Sequence, residues 1–261
     1  MSRDGKTWTE IGEQTWARNA QTKEVKLTSH PEARYVKVKV LDAVGGFGSG
    51  RELYVFKVPG TKTLIPGDIN NDGKIDDNDL TSYMNYTGLK KGDSDFDGYI
   101  SVGDVNNNGM IDAYDISNVT TKLDGGVYDD GHNTPLAGKF SYGYDKKAYK
   151  AGDDVTVKVK GHGMQSVNAF NFVLPYRPQD MRFVKAEAVA AKDMRNMTYD
   201  RHHSDGSQVL YPTFANVGNQ ATLNGDETLC ELHFKAVRSF TVKQQAPKGM
   251  AVDKNLNELD F

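Results

Sequence analysis

The chain has 261 residues, 38% of them hydrophobic and 10% aromatic, enough for two or three domains with packed cores and too apolar for a disordered chain. No stretch approaches the roughly 20 apolar residues of a membrane-spanning helix, and a net charge of -3 provides no basic field to hold a phosphate backbone, so neither a membrane span nor a nucleic-acid partner is expected. The single cysteine, Cys230, can form neither an internal disulfide nor a thiolate cage, which leaves hydrophobic cores and oxygen-ligated metals as sources of cohesion.

Residues 1–59 read as strands. Val36, Val38 and Val40 alternate with Lys37 and Lys39, the period-two pattern of a half-buried antiparallel strand with its valines inward. Residues 52–58 repeat the alternation with Leu53 and Val55, and the glycine-rich run 45–50 makes the loop between them. That run lacks both the spacing and the following helix of a phosphate-binding turn. The first ten residues hold no apolar signal-peptide core, and Met1 falls inside what reads as a domain, so the chain reads as a piece of something longer.

Residues 60–130 change character. From Asp68 to Asp115 there are eleven Asp, no Glu and three Lys. A charge block is usually a solvated face or a disordered tail, but these acids recur with a glycine at a fixed offset and an apolar residue two positions later. A Ca²⁺ ion takes about six to eight oxygens, and a loop of about 12 residues supplies them from its first, third, fifth, seventh (carbonyl), ninth and twelfth positions, with glycine sixth for the turn. Residues 68–79 fill that template with Asp68, Asn70, Asp72, the Lys74 carbonyl, Asp76 and Asp79, with Gly73 at the turn and Ile75 as an anchor. Residues 104–115 repeat it with Asp104, Asn106, Asn108, the Met110 carbonyl, Asp112 and Asp115. A third match, 93–104, offers Asp93, Asp95, Asp97, the Tyr99 carbonyl and Asp104, and ends on the residue that begins the next loop. One such motif alone would suit an Asx turn; its recurrence points to Ca²⁺ as cofactor at two loops, with the middle loop either a third site or a rigid turn.

Residues 133–261 return to strands. Val155, Val157 and Val159 share a face, as do Phe170, Phe172 and Leu174, and Cys230, Leu232 and Phe234, with Gly, Asp and Asn turns between. The pattern suggests a β-sandwich with Cys230 in its core. The run 200–205 contains adjacent His202 and His203; on a strand the two rings face opposite sides, no third ligand is indicated, and a solvent-facing polar loop is expected. No nucleophile elbow, phosphate loop or zinc-binding helix occurs, and no catalytic residue is assigned. Sequons at Asn85, Asn118 and Asn196 are read as coincidental, the first two lying on expected helices.

The Gly67–Ile75 and Gly103–Gly109 runs, each followed by an apolar helical stripe (Leu80, Tyr83 and Met84; Ile116, Val119 and Leu123), resemble the duplicated calcium loop and helix of type I dockerins over residues 67–123. The resemblance implies an EF-hand-like calcium module that binds a cohesin, with partner recognition at the tenth and eleventh loop positions: Asp77, Asn78, Ala113 and Tyr114. The two pairs differ, and the loop 93–104 is extra to the usual pattern. Residues 136–261, with Ala151–Val157, Val167–Tyr176 and Leu232–Ala236, look like a cohesin, although Tyr176-Arg177-Pro178 stands where Tyr-Asp-Pro is common. Ser2–Trp8, with the runs from Ala33 and Glu52, resembles the latter part of a discoidin carbohydrate-binding domain, in which Trp8 is expected in the core.

The expected fold is therefore multidomain and mainly β: two β-sandwich (jelly-roll) modules, 1–59 and 133–261, flanking a small α-helical calcium module at 60–130. Together the resemblances imply a non-catalytic interaction segment of an extracellular, cell-surface or periplasmic carbohydrate-active enzyme. They imply cohesin–dockerin pairing within the chain or with another chain, and glycans as a further ligand of the partial discoidin domain. A structural spacer, in which dockerin and cohesin pack together in one chain, is the alternative, and a sugar-binding lectin is another.

Overall fold

The computed structural model describes residues 1–2, 6–10, 12–17, 19, 23, 35–46, 65–93, 95–96, 100–123, 134–218 and 220–261. The chain divides into two compact units, Met1–Thr63 and Leu64–Phe261.

In the first unit Ser2 and Tyr35 form an antiparallel bridge through two 2.9 Å backbone hydrogen bonds. The Lys37 ammonium sits 4.1 Å from the Trp8 ring centroid. The sequence places Val36, Val38 and Val40 on a buried face, but they are 40%, 55% and 60% exposed, and residues 36–46 form no strand. Trp8, expected in the core, is 38% exposed. Alternation buries a face only where a second layer covers it, and none of the described residues covers this one. The second expected strand, at 52–58, lies outside the described residues.

The second unit opens with two helices, α1 (Asp77–Tyr86) and α2 (Ala113–Leu123), separated by a 3-10 turn at Ile100–Gly103. Fourteen strands follow among the described residues: β1 (Ala137–Tyr144), β2 (Ala148–Tyr149), β3 (Asp154–Val167), β4 (Ala169–Phe172), β5 (Leu174–Pro175), β6 (Met181–Ala188), β7 (Arg195–Asn196), β8 (Tyr199–His202), β9 (Gln208–Tyr211), β10 (Thr213–Ala215), β11 (Leu223–Ala236), β12 (Phe240–Thr241), β13 (Gly249–Val252) and β14 (Glu258–Asp260). One sheet runs β1-β3-β11-β6 and the other β14-β13-β4-β10-β7, with all pairs antiparallel. A three-stranded ribbon, β5-β9-β8, and a β2-β12 pair complete the set.

The two main sheets face each other across one core. Val155, Val157 and Val159 of β3 and Cys230, Leu232 and Phe234 of β11 enter it from the first sheet, as the alternation required. Phe170 and Phe172 of β4 and Phe214 of β10 enter from the second, with Phe170 and Phe214 stacked at 5.3 Å. Burial keeps the Cys230 thiol protonated, its pKa pushed far above the usual value.

Strand β4 breaks the alternation, because all four of its residues are buried. Phe170 and Phe172 fill the sandwich core, whereas Ala169 joins Ala215, Met250 and Val252 in a second apolar cluster built on the helices. The central strands β4, β10 and β13 are thus covered on both faces, one by the partner sheet and one by α2, with Asn171 the polar residue of β4 on the second face, which explains the continuous burial. Truncating Phe214 to alanine removes a fully buried ring from the first face and should destabilise the unit by about 3–5 kcal/mol in urea unfolding.

Candidate functional site

The two outer Asp-rich loops fold alike. In the first, Asp68 accepts hydrogen bonds from the Asp72 and Gly73 N–H groups at 2.9 and 2.8 Å, Asn70 Oδ1 from the Asp72 N–H at 2.9 Å, and Asp72 from the Lys74 N–H at 2.9 Å. In the second, Asp104 accepts from the Asn108 and Gly109 N–H groups at 3.0 and 2.9 Å, Asn106 Oδ1 from the Asn108 N–H at 3.2 Å, and Asn108 from the Met110 N–H at 2.9 Å. The turns match as well: Asn71 and Asn107 hold φ of 58° and 57°, and Gly73 and Gly109 hold 94° and 88°, the left-handed region that favours Asn and Gly.

Each loop runs directly into a helix. Asp76 caps α1 through the Asn78 N–H at 2.8 Å, and Asp79 Oδ2 accepts the Asp76 N–H at 2.9 Å while its other oxygen accepts the Asn70 N–H at 3.2 Å. At α2, Asp112 accepts the Tyr114 N–H at 2.9 Å, and Asp115 accepts the Asp112 and Val105 N–H groups at 2.9 and 2.7 Å. The last loop residue is therefore also the third residue of the helix, and one carboxylate ties the start of the loop to the start of the helix.

These carboxylates are buried together. Burial, with the fields of Asp68 and Asp72 added, raises the Asp79 pKa above the usual carboxylate value. Burial is also the largest influence on Asp112, pushed up to about 6 against hydrogen bonds from Asn108 and Tyr114, with the fields of Asp104 and Glu258 adding to the rise. Asp115 is also raised well above the usual carboxylate value, by burial first and then by the field of Asp112. Among the described residues no group of three or more His, Cys, Asp or Glu is assembled to hold an ion by those side chains alone. The donor chemistry of the two loops, carboxylates with the amide oxygens of Asn70, Asn106 and Asn108, is the all-oxygen kind that Ca²⁺ takes.

The middle match is arranged differently. Asp93 Oδ2 lies 2.7 Å from His203 Nδ1 and accepts the Lys90 N–H at 3.1 Å, while Oδ1 accepts the Ser204 N–H at 3.1 Å. Burial opposes its ionisation, but the bonds from Ser204, His203 and Lys90 outweigh this and hold its pKa below the usual value. Asp104 gives both oxygens to the 104–115 loop. Asp95 is exposed, and Asp97 and Tyr99 lie outside the described residues.

Of the four residues assigned to partner recognition, Asp77 and Asn78 are exposed at the start of α1, Ala113 is fully buried and Tyr114 is half-buried. The reason is the position of α2. Eight of its residues are buried, with α1 on one side and β4, β10 and β13 on another. Leu80, Tyr83, Ile116 and Val119 share one cluster with Ala169, Met197, Ala215, Met250 and Val252 of the sandwich. The Ala113 N–H donates to Asn171 Oδ1 at 3.4 Å.

In the run 200–205, expected to face solvent, His202, Ser204 and Asp205 do so, but Arg201 and His203 are buried at this same contact, which corrects the expectation for those two. Arg201 donates to the carbonyls of Thr87 and Asn85 at 2.9 and 2.8 Å, a cation on the final carbonyls of α1, and its guanidinium stacks 4.2 Å over the Tyr199 ring. His203 is buried between Asp93 and the Tyr211 hydroxyl, the latter at 2.8 Å, and Lys90 pairs with Asp205 at 3.0 Å. The Tyr211 ring also fills the space over Gly88, where a Cβ would come within 2.2 Å of it. Parity along β8 carried part of this signal: Tyr199, Arg201 and His203 fall on one face and the exposed His202 on the other. Nothing local announced that the face would meet α1.

Residues 66–124 match the family described as Dockerin type I domain. In its C-terminal part the chain is similar in structure to cohesins. A type II cohesin from the cellulosome of Acetivibrio cellulolyticus shares 12% identity at a TM-score of 0.37, over 48% of this chain and 88% of that one. A type I cohesin–dockerin complex of Clostridium thermocellum shares 13% at 0.35, over 49% and 90%. A non-cellulosomal cohesin from Archaeoglobus fulgidus shares 17% at 0.32, over 42% and 75%. No curated protein matches the chain.

The raised carboxyl pKa values fix the sign of a pH effect. A group whose folded pKa is raised contributes stability below its unfolded value, near 3.8, and that contribution is lost as pH rises through the folded value, about 6 for Asp112. In calcium-depleted buffer the melting temperature of the loop-bearing unit should fall between pH 5 and pH 7, and saturating calcium should abolish the fall; calorimetry at the two pH values checks both.

Proposed function

We propose that residues 66–124 bind two Ca²⁺ ions and dock on the β-sandwich of their own chain, so that the two modules act as one non-catalytic, calcium-clamped unit. The assigned ligands are Asp68, Asn70, Asp72, the Lys74 carbonyl, Asp76 and Asp79 in one loop, and Asp104, Asn106, Asn108, the Met110 carbonyl, Asp112 and Asp115 in the other. Asp93 is a docking residue in this reading, its carboxylate engaged by His203 and Ser204.

The observation that carries the in-chain reading is the burial of α2 between α1 and the outer face of the β4-β10-β13 sheet. Calcium neutralises the buried carboxylates, fixes the angle at which each helix leaves its loop, and thereby presents α2 to the sheet. The dockerin resemblance supports a place in an extracellular carbohydrate-active enzyme, where a rigid unit of this kind holds neighbouring modules at a set distance.

A second reading keeps part of the module open to another chain. Ala113 is covered and Tyr114 half-buried, whereas Asp77 and Asn78, at the equivalent positions of the first loop, are exposed and available to an external partner.

Calorimetry of the whole chain tests the in-chain reading. With calcium, residues 64–261 should melt in one transition, and chelation should lower its midpoint; an unchanged midpoint would end the calcium assignment. Gly88→Ala, which drives a Cβ into the Tyr211 ring, should split the transition in two. Arg201→Ala should cost about 2 kcal/mol through the loss of two charge-assisted bonds to the end of α1. If both variants melt as the wild type does and the protein sediments as a concentration-dependent dimer, docking occurs between chains instead.

A further inference from the structure

The two calcium loops are not equally charged. At the assigned side-chain positions the first has Asp68, Asp72, Asp76 and Asp79, and the second only Asp104, Asp112 and Asp115, with Asn108 where the first has Asp72. A hard dication held by oxygens gains affinity with each ligand charge, so the second loop taken alone is the weaker site.

A carboxylate from the sandwich stands beside it. Asn106 Nδ2 donates to Glu258 Oε2, at the first residue of β14, across 3.3 Å. That bond fixes the amide with Oδ1 turned to the loop, where it accepts the Asn108 N–H at 3.2 Å, as Asn70 does for Asp72 in the first loop. Glu258 is exposed, but the turn that presents it is braced. Asp253 accepts the Asn255 and Asn257 N–H groups at 2.9 and 2.8 Å and the Asn257 side-chain amide at 2.8 Å. The same hairpin supplies β13, on which α2 packs.

We propose that Glu258 is a positioning residue of the second calcium loop: it orients the Asn106 amide and adds a fourth carboxylate charge, so that the 104–115 site is completed by the docked sandwich. The proposal rests on the calcium-binding, in-chain reading above. Its consequence is reciprocal: docking tightens calcium at this loop, and calcium there tightens docking by the same factor.

The test is a calorimetric titration of the whole chain with calcium chloride, comparing wild type, Glu258→Gln and Glu258→Asp. The wild type should show two sites. Glu258→Gln should weaken one by about fivefold to tenfold at low ionic strength, the low end of couplings between sites, and leave the other unchanged. The difference should shrink as salt screens the exposed charge, and Glu258→Asp should restore part of the affinity. Two sites in the wild type with no change in Glu258→Gln would overturn this proposal and leave the calcium reading intact. A loss that salt does not reduce and aspartate does not rescue would overturn the charge role. A wild type that binds no calcium would remove the calcium reading and this inference together.

Discussion

Asp79 and Asp115 are fully buried carboxylates, and the organisation of residues 64–261 depends on how their charge is satisfied. Each closes a loop, joins the cap of a helix and holds the N–H of a residue near the loop's start. Backbone N–H groups offset part of the desolvation penalty, but neighbouring Asp side chains add to it. A bound dication reverses the sign of that neighbourhood, so acids that repel one another become a single set of ligands. The direction in which each helix leaves its loop is set by these carboxylate bonds between loop and helix start, not by helix propensity alone.

That direction matters because α2 has little solvent-facing surface. Its apolar residues meet α1 on one side, and the Ala113 backbone approaches the outer face of the sandwich on another. The sheet is suited to this contact: Ala169 and Ala215 are small, and Met250 and Val252 fill the space beside them. Around this apolar centre lie directional contacts from several elements. Arg201 holds the last carbonyls of α1, His203 joins Asp93 to Tyr211, and Lys90 meets Asp205. The polar contacts fix the register of a surface that hydrophobic burial alone would leave free to slide.

The duplicated loops are equivalent in backbone geometry and unequal in surroundings. One helix start is covered and the other exposed, and one loop is bordered by a sandwich carboxylate. A sequence repeat encodes two similar local structures; where each lies in the packed unit decides what its surface residues can touch.

The features that could be read along the chain are those set by short-range chemistry. The two loops were legible because oxygen-bearing side chains, a left-handed glycine and a following helix recur in both at fixed spacings. The strands of the C-terminal sandwich were legible because side chains alternate with period two, which placed Val155, Val157, Val159, Cys230 and Leu232 in the core. The same rule misplaced Val36, Val38 and Val40, since alternation states which residues share a face and not whether anything covers it. Packing between distant segments is what sets Asp93 against His203, buries Arg201 and His203, covers β4 on both faces and brings Ala113 to Asn171. Those contacts join residues from 58 to more than 100 positions apart, and no local periodicity reports them, because they arise from the match between two surfaces that exist only after each module has folded.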